Sequence, residues 1–437
     1  MRNKLSWLLA GAVLVAAPLC AEVKILKNFT LIDGTGKAPV TAAAMIIDNG
    51  RISWVGTTAQ LKAPAGADVV DLAGKFVIPG IINLHGHLGA VVDLTQSADN
   101  LTEANLEKNL KTYAAYGVTS VLSMGTDKDF VLAARDKQRL GRPGETRIFS
   151  AGDGFVFAGG YGGLAGVNQL TKTPGEVDAK VAKLASQKVD TVKLWLDDHN
   201  GEFKKMPYDI VKAITDAGHK YKMLVSAHIF YLEDAKKLTD FGVNGFAHMV
   251  RDQPIDQALI DSMKKHGTWQ LAATLSREAS MFAYAKAPSF ISDPFFTRGV
   301  SENVVKTLKS SEYQKAQAAD PHFAHYPEYL ENAKKNIKKL VDSGVKYGFG
   351  TDSGPPGRFP GFFEHWEMEL LVEAGLTPSQ VIQSATKNAA EYLKAKDLGT
   401  LEKSKWADLL VLEKNPLENI KNTQTIDSVY IAGNRVK

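Results

Sequence analysis

The sequence predicts an α/β protein with a (β/α)8 TIM barrel in the middle of the chain and a small β-sandwich built from both termini. Two observations lead to this fold class. Short apolar segments alternate with amphipathic helical stretches between residues 77 and 390, and eight such βα repeats are what the barrel requires. Residues 22–76 and 391–437 contain instead short strands separated by turns. For the middle segment, an open doubly wound sheet is the alternative.

The first 21 residues have the composition of a secretory signal peptide. Arg2 and Lys4 precede an apolar run from Leu5 to Ala17, which is shorter than the roughly 20 residues that span a membrane. We therefore expect a signal peptide over residues 1–21 and export to the periplasm or the exterior; an uncleaved anchor or a lipoprotein is the alternative. Cys20, the only cysteine, would leave with this segment, so any metal must be held by nitrogen and oxygen.

Composition and charge narrow the range of partners. Hydrophobic residues make up 44% of the chain and charged residues 23%, which is typical of a globular protein. The formal net charge of +4 is small for 437 residues, and no basic stripe interleaved with aromatic residues is present. We expect a small-molecule or dipeptide substrate, with no nucleic acid and no membrane association beyond export.

Strand and turn signals fill both ends of the remaining chain. Residues 44–56 predict a hairpin that turns at Asn49-Gly50, a dipeptide that favours two-residue hairpin loops. Asp408–Leu412 and Ile426–Ile431 are short apolar strands of the same kind. These flanking segments predict the β-sandwich.

The middle segment contains eight candidate barrel strands separated by helical stretches. The predicted strands are Phe76–Asn83, Val118–Ser123, Arg147–Ser150, Thr191–Leu196, Met223–Ala227, Gly245–Ala247, Trp269–Ala273 and Lys346–Gly350. The predicted helices include Val177–Lys188, Tyr208–His219 and Ile255–His266. Residues 276–340 are too long, aromatic and helix-prone for a minimal barrel, so we interpret them as a lid-like insertion at the barrel mouth.

Candidate metal ligands follow several of these strands. His85 and His87 end the first barrel strand, and residues two apart in a strand share one side. His228, His248 and Asp352 end the fifth, sixth and eighth strands. Because active sites of this barrel lie at the C-terminal ends of its strands, these side chains are expected to converge. Taken singly, each is more often structural than functional.

Lys193 lies inside the apolar fourth strand, where a free ammonium group would be costly to bury. Carboxylation of its amine by CO₂ would convert it into a carboxylate able to bridge two cations. A lysine at the sheet edge that extends to solvent is the alternative.

The positions of these residues resemble the amidohydrolase superfamily, closest to its imidazolonepropionase-like and Xaa-Pro dipeptidase-like group. The segments Ile32–Gly36, Ile78–His87 and Asn388–Leu412 carry the resemblance, which covers nearly the whole chain after residue 21. It implies a homo-oligomer and two divalent ions, zinc or manganese. Its implied ligands are His85 and His87 for the buried ion, His228 and His248 for the exposed one, carboxylated Lys193 between them, and Asp352.

The resemblance implies hydrolysis of amide or peptide C–N bonds in dipeptides, N-acyl amino acids or cyclic amides. A hydroxide shared by the two ions would attack the carbonyl, and Asp352 would pass its proton to the leaving nitrogen. Imidazolonepropionase is mononuclear and lacks the strand-four lysine, so Lys193 favours the dinuclear, peptidase-like branch.

Substrate contacts are predicted at Tyr161, His199, Phe230 and Tyr231. Tyr161 stands where related sequences often carry histidine, and Phe230 where they often carry histidine or tyrosine. Two alternatives for the function stay open. The same site would cleave a lactone, a carboxylic ester or a phosphotriester, or the barrel is inactive and serves as a binding protein.

Overall fold

The computed structural model describes residues 23–437; the predicted signal peptide lies outside the described residues. Its strands are β1 Val23–Leu31, β2 Val40–Asp48, β3 Arg51–Thr57, β4 Asp68–Asp71, β5 Phe76–Pro79, β6 Ile81–Gly86, β7 Val91–Val92, β8 Thr95–Gln96, β9 Val118–Ser123, β10 Arg147–Ser150, β11 Phe155–Phe157, β12 Gln169–Thr171, β13 Val192–Trp195, β14 Val225–His228, β15 Gly245–Phe246, β16 Trp269–Gln270, β17 Leu409–Leu412, β18 Ile426–Ile431 and β19 Asn434–Arg435.

Its helices are α1 Glu103–Ala115, α2 Asp129–Arg139, α3 Val177–Ser186, α4 Tyr208–Lys220, α5 Leu232–Phe241, α6 Gln257–His266, α7 Leu275–Ala283, α8 Pro294–Thr297, α9 Glu302–Lys309, α10 Ser311–Ala318, α11 Tyr326–Asp342, α12 Phe362–Glu373, α13 Pro378–Gln383 and α14 Ala389–Tyr392. Within residues 23–437, no helix combines the length and the apolar character needed to cross a bilayer.

Strands from both ends of the chain form one eight-stranded sheet. Its order is β19-β18-β17-β5-β1-β2-β3, with β4 added beside β1. The predicted hairpin is confirmed: β2 and β3 pair antiparallel, and Asn49 and Gly50 turn with φ of 47° and 81°. The apolar face of the sheet buries residues such as Leu26, Phe29 and Val411. Both termini thus contribute strands to one sheet, as predicted. The two facing sheets of a sandwich and the predicted domain boundaries stay predictions.

The middle of the chain has the predicted α/β organisation. Parallel pairing joins β6, β9 and β10 in one sheet and β11 to β16 in another, and helices separate most of these strands. Backbone hydrogen bonds lie at both gaps between the two sheets. Just before β13, Asp190 N donates to Ser150 O at 2.7 Å, and in β6, Leu84 N donates at 2.8 Å to Phe349 O in the segment that bridges to β16. The α/β fold class is therefore observed, and closure of a complete (β/α)8 barrel stays a prediction.

Three predicted strands were wrong in their extent. Trp269–Ala273 is reduced to β16, Trp269–Gln270, and glycines account for the other two corrections. The predicted Phe76–Asn83 strand divides at Gly80, where a Cβ would lie 2.1 Å from the Thr119 hydroxyl; β5 joins the terminal sheet and β6 the middle one. Residues 346–350 form only a bridge from Tyr347 to Gln270. A Cβ at Gly348 would lie 2.5 Å from Leu84, so close backbone approach replaces a regular ladder there.

The insertion predicted at 276–340 is helical, as α7 to α11 show. Its aromatic residues bury themselves against α12 and α1: Phe296 packs with Phe362 and Phe363 in a cluster that also contains Tyr116 and Tyr284. Burial of several aromatic rings strongly favours a fixed position for a segment. These aromatic contacts hold the insertion against α12, which follows Asp352 in the chain.

A buried ion pair joins the middle of the chain to the terminal sheet. Arg147 in β10 donates from Nε to Asp408 Oδ2 at 2.7 Å and from Nη2 to Oδ1 at 3.2 Å, and Asp408 is 5% exposed. Arg147→Ala would leave this carboxylate buried without its cation, so we expect unfolding free energy to fall by about 3 kcal/mol. Thermal unfolding at fixed metal concentration measures the effect.

The matched control for Arg147→Ala is Lys346→Ala. It removes the ion pair of Lys346 with Glu391, whose side chains are 60% and 49% exposed, and a pair so exposed contributes less than about 1 kcal/mol. Equal losses of stability in the two variants would contradict the assigned role of Arg147.

Candidate metal centre

Six predicted ligands lie at neighbouring strand ends and are all buried. They are His85 in β6, His87 just after it, Lys193 in β13, His228 at the end of β14, His248 after β15, and Asp352 after residues 346–350. None is more than 8% exposed. Polar side chains are buried together in this way only when they satisfy one another or a ligand.

The four histidines and Asp352 form one contiguous cluster. The ring centroids of His85 and His87 are 5.4 Å apart, those of His85 and His248 4.7 Å, and those of His228 and His248 4.2 Å. Asp352 Oδ1 lies 3.4 Å from His85 Nε2 and 3.0 Å from His87 Nε2. The ligand atoms of His85, His248 and Asp352 lie within 4.8 Å of one another, which suits a shared metal ion.

Each histidine contacts a group outside the cluster through one ring nitrogen, and the other nitrogen of His85 and of His87 faces Asp352. Such outer contacts orient metal-binding imidazoles. The contacts are His85 Nδ1 with Ala247 O at 2.9 Å, His87 Nδ1 with Thr126 Oγ1 at 3.0 Å, His248 Nδ1 with Thr274 Oγ1 at 3.0 Å, and His228 Nε2 with Asp197 Oδ2 at 2.8 Å.

Electrostatics keep three of these rings neutral. Burial, reinforced by neighbouring cations that include Lys193, holds the pKa of His85 and of His248 well below the usual value. Burial also lowers the pKa of His228 to about 4, although the Asp197 carboxylate opposes the shift. Neutral imidazole is the form that binds a divalent cation, so the rings are prepared for metal at neutral pH.

Lys193 has one of the buried side-chain polar atoms that form no hydrogen bond within residues 23–437. Its side chain is fully buried, and Nζ forms no hydrogen bond. Burial lowers its pKa to about 7, with Asp352 acting in the opposite direction. Gly125 and Gly154 leave room for its aliphatic stem, since a Cβ at Gly125 would lie 2.9 Å from Lys193 Cγ. A buried amine whose pKa is lowered in this way fits a group that is carboxylated and binds cations.

Asp352 is held ionised. Burial acts to raise its pKa, but Arg358 and the histidines beside it outweigh burial and hold that pKa well below the usual range. Arg358 Nη1 donates to Oδ2 at 2.5 Å, on the carboxylate oxygen opposite the one that faces the histidines. The carboxylate therefore has one oxygen neutralised by the protein and one directed at the cluster.

A donor set of imidazoles, a carboxylate and a buried amine without thiolates suits zinc or manganese. The comparison with known families agrees: the Amidohydrolase family matches residues 76–436. The chain belongs to the amidohydrolase family. The predicted resemblance and the prediction of a hydrolase are thereby confirmed.

This amidohydrolase has relatives of similar length. It is 24% identical over 396 residues to the imidazolonepropionase of Streptomyces griseus subsp. griseus, covering 87% of this chain and 88% of the relative. It is 25% identical over 439 residues to the ochratoxinase of Aspergillus niger, covering 92% and 83%. A Xaa-Pro dipeptidase crystallised with methionine in its active site shares the fold, with a TM-score of 0.74, 22% identity and coverage of 95% and 99%.

The predicted substrate residues of this amidohydrolase fall into two pairs. Tyr161 stacks on His199 at 5.0 Å and meets the ring of His228 edge-on at 5.5 Å, so this pair borders the ligand cluster. Phe230 and Tyr231 contact each other at 4.8 Å. The Tyr231 hydroxyl donates its hydrogen bond to Asp198 at 2.7 Å, so this proton is not available to a substrate unless that bond breaks.

Several residues around the cluster were not predicted. The Asp197 carboxylate contacts His228, and three arginines lie close by, with Arg277 Nε 3.7 Å from Asp352 Oδ2 and Arg251 Nε 3.1 Å from Glu278 Oε1. A usable signal existed only for Asp197, which follows the Lys193 strand directly. The arginines come from separate loops and helices, and nothing in their local sequence marks them.

Proposed function

We propose that this amidohydrolase hydrolyses amide or peptide C–N bonds in small substrates with two divalent ions held by these residues. Dipeptides, N-acyl amino acids and cyclic amides are the substrate classes. The observation that carries the proposal is the buried cluster of four histidines and Asp352 together with Lys193, a buried lysine that acts electrostatically on three of those histidines and whose Nζ has no hydrogen-bond partner. The names of the relatives, which include an imidazolonepropionase and a Xaa-Pro dipeptidase, agree with a small substrate.

The residues present fit two cations. His85 and His87 would hold the inner ion and His228 and His248 the outer one, with carboxylated Lys193 between them. Zinc, or manganese, would supply an acidified water and polarise the scissile carbonyl. The carboxylation step itself needs only CO₂: the neutral amine forms an N–C bond, loses one proton, and leaves a carboxylate.

The chain's own groups would orient the substrate and move the proton. Asp352 is ionised before substrate binds, so its Oδ1 is able to accept a proton and then donate it to the leaving nitrogen. Arg358 holds Oδ2 and prevents rotation of the carboxylate. Tyr161, beside His228, would donate a hydrogen bond to the substrate carbonyl, and its stacking on His199 restricts the ring.

The insertion would act as the lid over this site. His322, which belongs to the insertion, lies 2.8 Å from Glu202 Oε1, and Glu202 Oε2 lies 2.9 Å from His199 Nδ1. Tyr329 also donates to Asn200 at 3.1 Å. These contacts support a lid that meets the loop after β13 beside Tyr161. Closure of a (β/α)8 barrel, export after removal of residues 1–21, and assembly as a homo-oligomer belong to the same proposal.

Matched substrates test the proposed bond. The wild type is assayed with the amide and the ester of one acyl group, together with a panel of dipeptides and N-acyl amino acids. Turnover of amides at least as efficient as that of the ester supports the proposal. Turnover of the ester alone would assign the site to lactone or ester cleavage, and turnover of neither, at full metal loading, would favour a binding protein.

Metal removal provides an independent prediction. Chelation is expected to abolish amide hydrolysis and to lower the melting temperature, because a ligand present at 100 times its Kd stabilises the folded state by about 2.7 kcal/mol. Zinc or manganese should restore both properties, and elemental analysis should then find two ions per chain. Full activity in a chelated sample shown to be metal-free would contradict the prediction.

A further inference from the structure

A fully buried carboxylate lies behind the candidate metal centre without binding any of its proposed ligands directly. Glu364 is the third residue of α12 and is 0% exposed. A buried carboxylate is costly unless hydrogen bonds satisfy it. The identity of its partners therefore indicates what the residue holds in place.

Three of the four hydrogen bonds of Glu364 connect the two segments that carry His85 and Asp352. Its Oε1 accepts from Asn83 Nδ2 at 2.6 Å, from Ser353 Oγ at 2.7 Å and from Thr351 Oγ1 at 2.8 Å. Its Oε2 accepts from the backbone N of Gly361 at 2.6 Å, which fixes the carboxylate to the start of α12.

These partners contact the proposed ligands through the backbone. Asn83 Oδ1 accepts from the backbone N of His85 at 2.8 Å. Thr351 and Ser353 are the two neighbours of Asp352 in the chain, and the backbone N of Asp352 donates to His85 O at 2.7 Å. One carboxylate thus reaches both chain neighbours of Asp352 and Asn83, the strand residue two positions before His85.

The backbone at Asp352 needs such a restraint. Its φ is 57°, in the left-handed region that residues with a side chain seldom adopt. Conformations of this kind persist where the surrounding structure determines them. Here Glu364 fixes the side chains of both flanking residues, Thr351 and Ser353, and the hydroxyl of Tyr113 lies 2.7 Å from Ser353 Oγ.

We propose that Glu364 is a positioning residue that locks the backbone of Asp352 in this conformation and sets the separation between Asp352 and His85. The proposal rests on the proposed function, in which both residues serve one metal centre. Glu364 would act without touching metal or substrate, by keeping the Asp352 carboxylate directed at the histidines.

Two substitutions and one matched control test this role. Glu364→Gln keeps the volume but directs an NH₂ group at one or more of the four donors, and Glu364→Asp keeps the charge but shortens the reach. Asp408→Asn is the control: Asp408 lies beside the terminal sheet, is 5% exposed, and accepts from Arg147 and from the backbone N of Ala432. Each chain is measured metal-free for melting temperature and zinc affinity, and zinc-loaded for kcat and KM.

The expected result is a zinc Kd about tenfold weaker and a kcat about 10- to 100-fold lower in both Glu364 variants, as is typical when groups that orient metal ligands are changed. KM should change less than threefold, and Asp408→Asn should keep both zinc affinity and kcat at a similar loss of melting temperature. Zinc affinity and kcat equal to those of Asp408→Asn would overturn the proposal. If the wild type cleaves no amide, the proposed function is wrong. The zinc affinities of the variants still test the positioning role of Glu364 in that case.

Discussion

Asp352→Asn is expected to reduce kcat/KM for an amide substrate by about 10³-fold or more, while the fold is retained. General acid–base groups contribute about 10² to 10⁴ to a rate, and this carboxylate is also a proposed metal ligand. The amide cannot accept the proton at neutral pH, and it weakens the attraction of Arg358, which donates to Asp352 at 2.5 Å. Steady-state kinetics and elemental analysis of the purified variant measure the two effects separately.

A buried carboxylate elsewhere controls for the loss of stability on Asp352→Asn. Asp234 in α5 is 1% exposed and pairs with Lys205 at 2.9 Å, so Asp234→Asn also leaves a cation without its acid. We expect this control to lower the melting temperature and to keep kcat. An Asp352→Asn variant with at least a tenth of wild-type turnover would exclude a role for this side chain in proton transfer.

The candidate ligands could be predicted because their geometry is local. In a strand, His85 and His87 necessarily share one side, and the ends of parallel strands meet at one edge of a sheet. The same argument gave Lys193, His228 and His248. The structure places all of them in one buried cluster, although their binding of metal stays a prediction.

The residues that organise the cluster could not be predicted because their contacts are distant in sequence. Glu364 is separated by 281 residues from Asn83, to which it is hydrogen-bonded, and no period or motif connects them. The failed strand at 346–350 has a different cause. Gly348 and Gly350 keep the apolar pattern of a strand but allow the backbone to approach Leu84 and His85, and packing of that kind is set by the tertiary structure.

Replacing Lys193 should separate metal binding from stability. Lys193→Met keeps an unbranched side chain as far as Cε and removes a buried amine that has no hydrogen-bond partner. Because burial of an unpaired polar group costs free energy, we expect the metal-free variant to melt at the same temperature as the metal-free wild type or a few degrees higher. With the bridge lost, metal content should fall from two ions per chain to one or none, and kcat/KM by about 10³-fold.

Carboxylation provides the direct readout for Lys193. The wild type is loaded with metal in the presence of ¹³C-labelled bicarbonate and examined by ¹³C NMR, with Lys193→Met treated identically. A protein-bound carbamate signal in the wild type alone would identify the bridge, and exclusion of CO₂ during loading should then reduce the metal content. Two ions per chain in Lys193→Met would instead mean that the four histidines and Asp352 suffice for both metals. In that case Lys193 would destabilise the folded protein without contributing to metal binding, and its presence would need a different explanation.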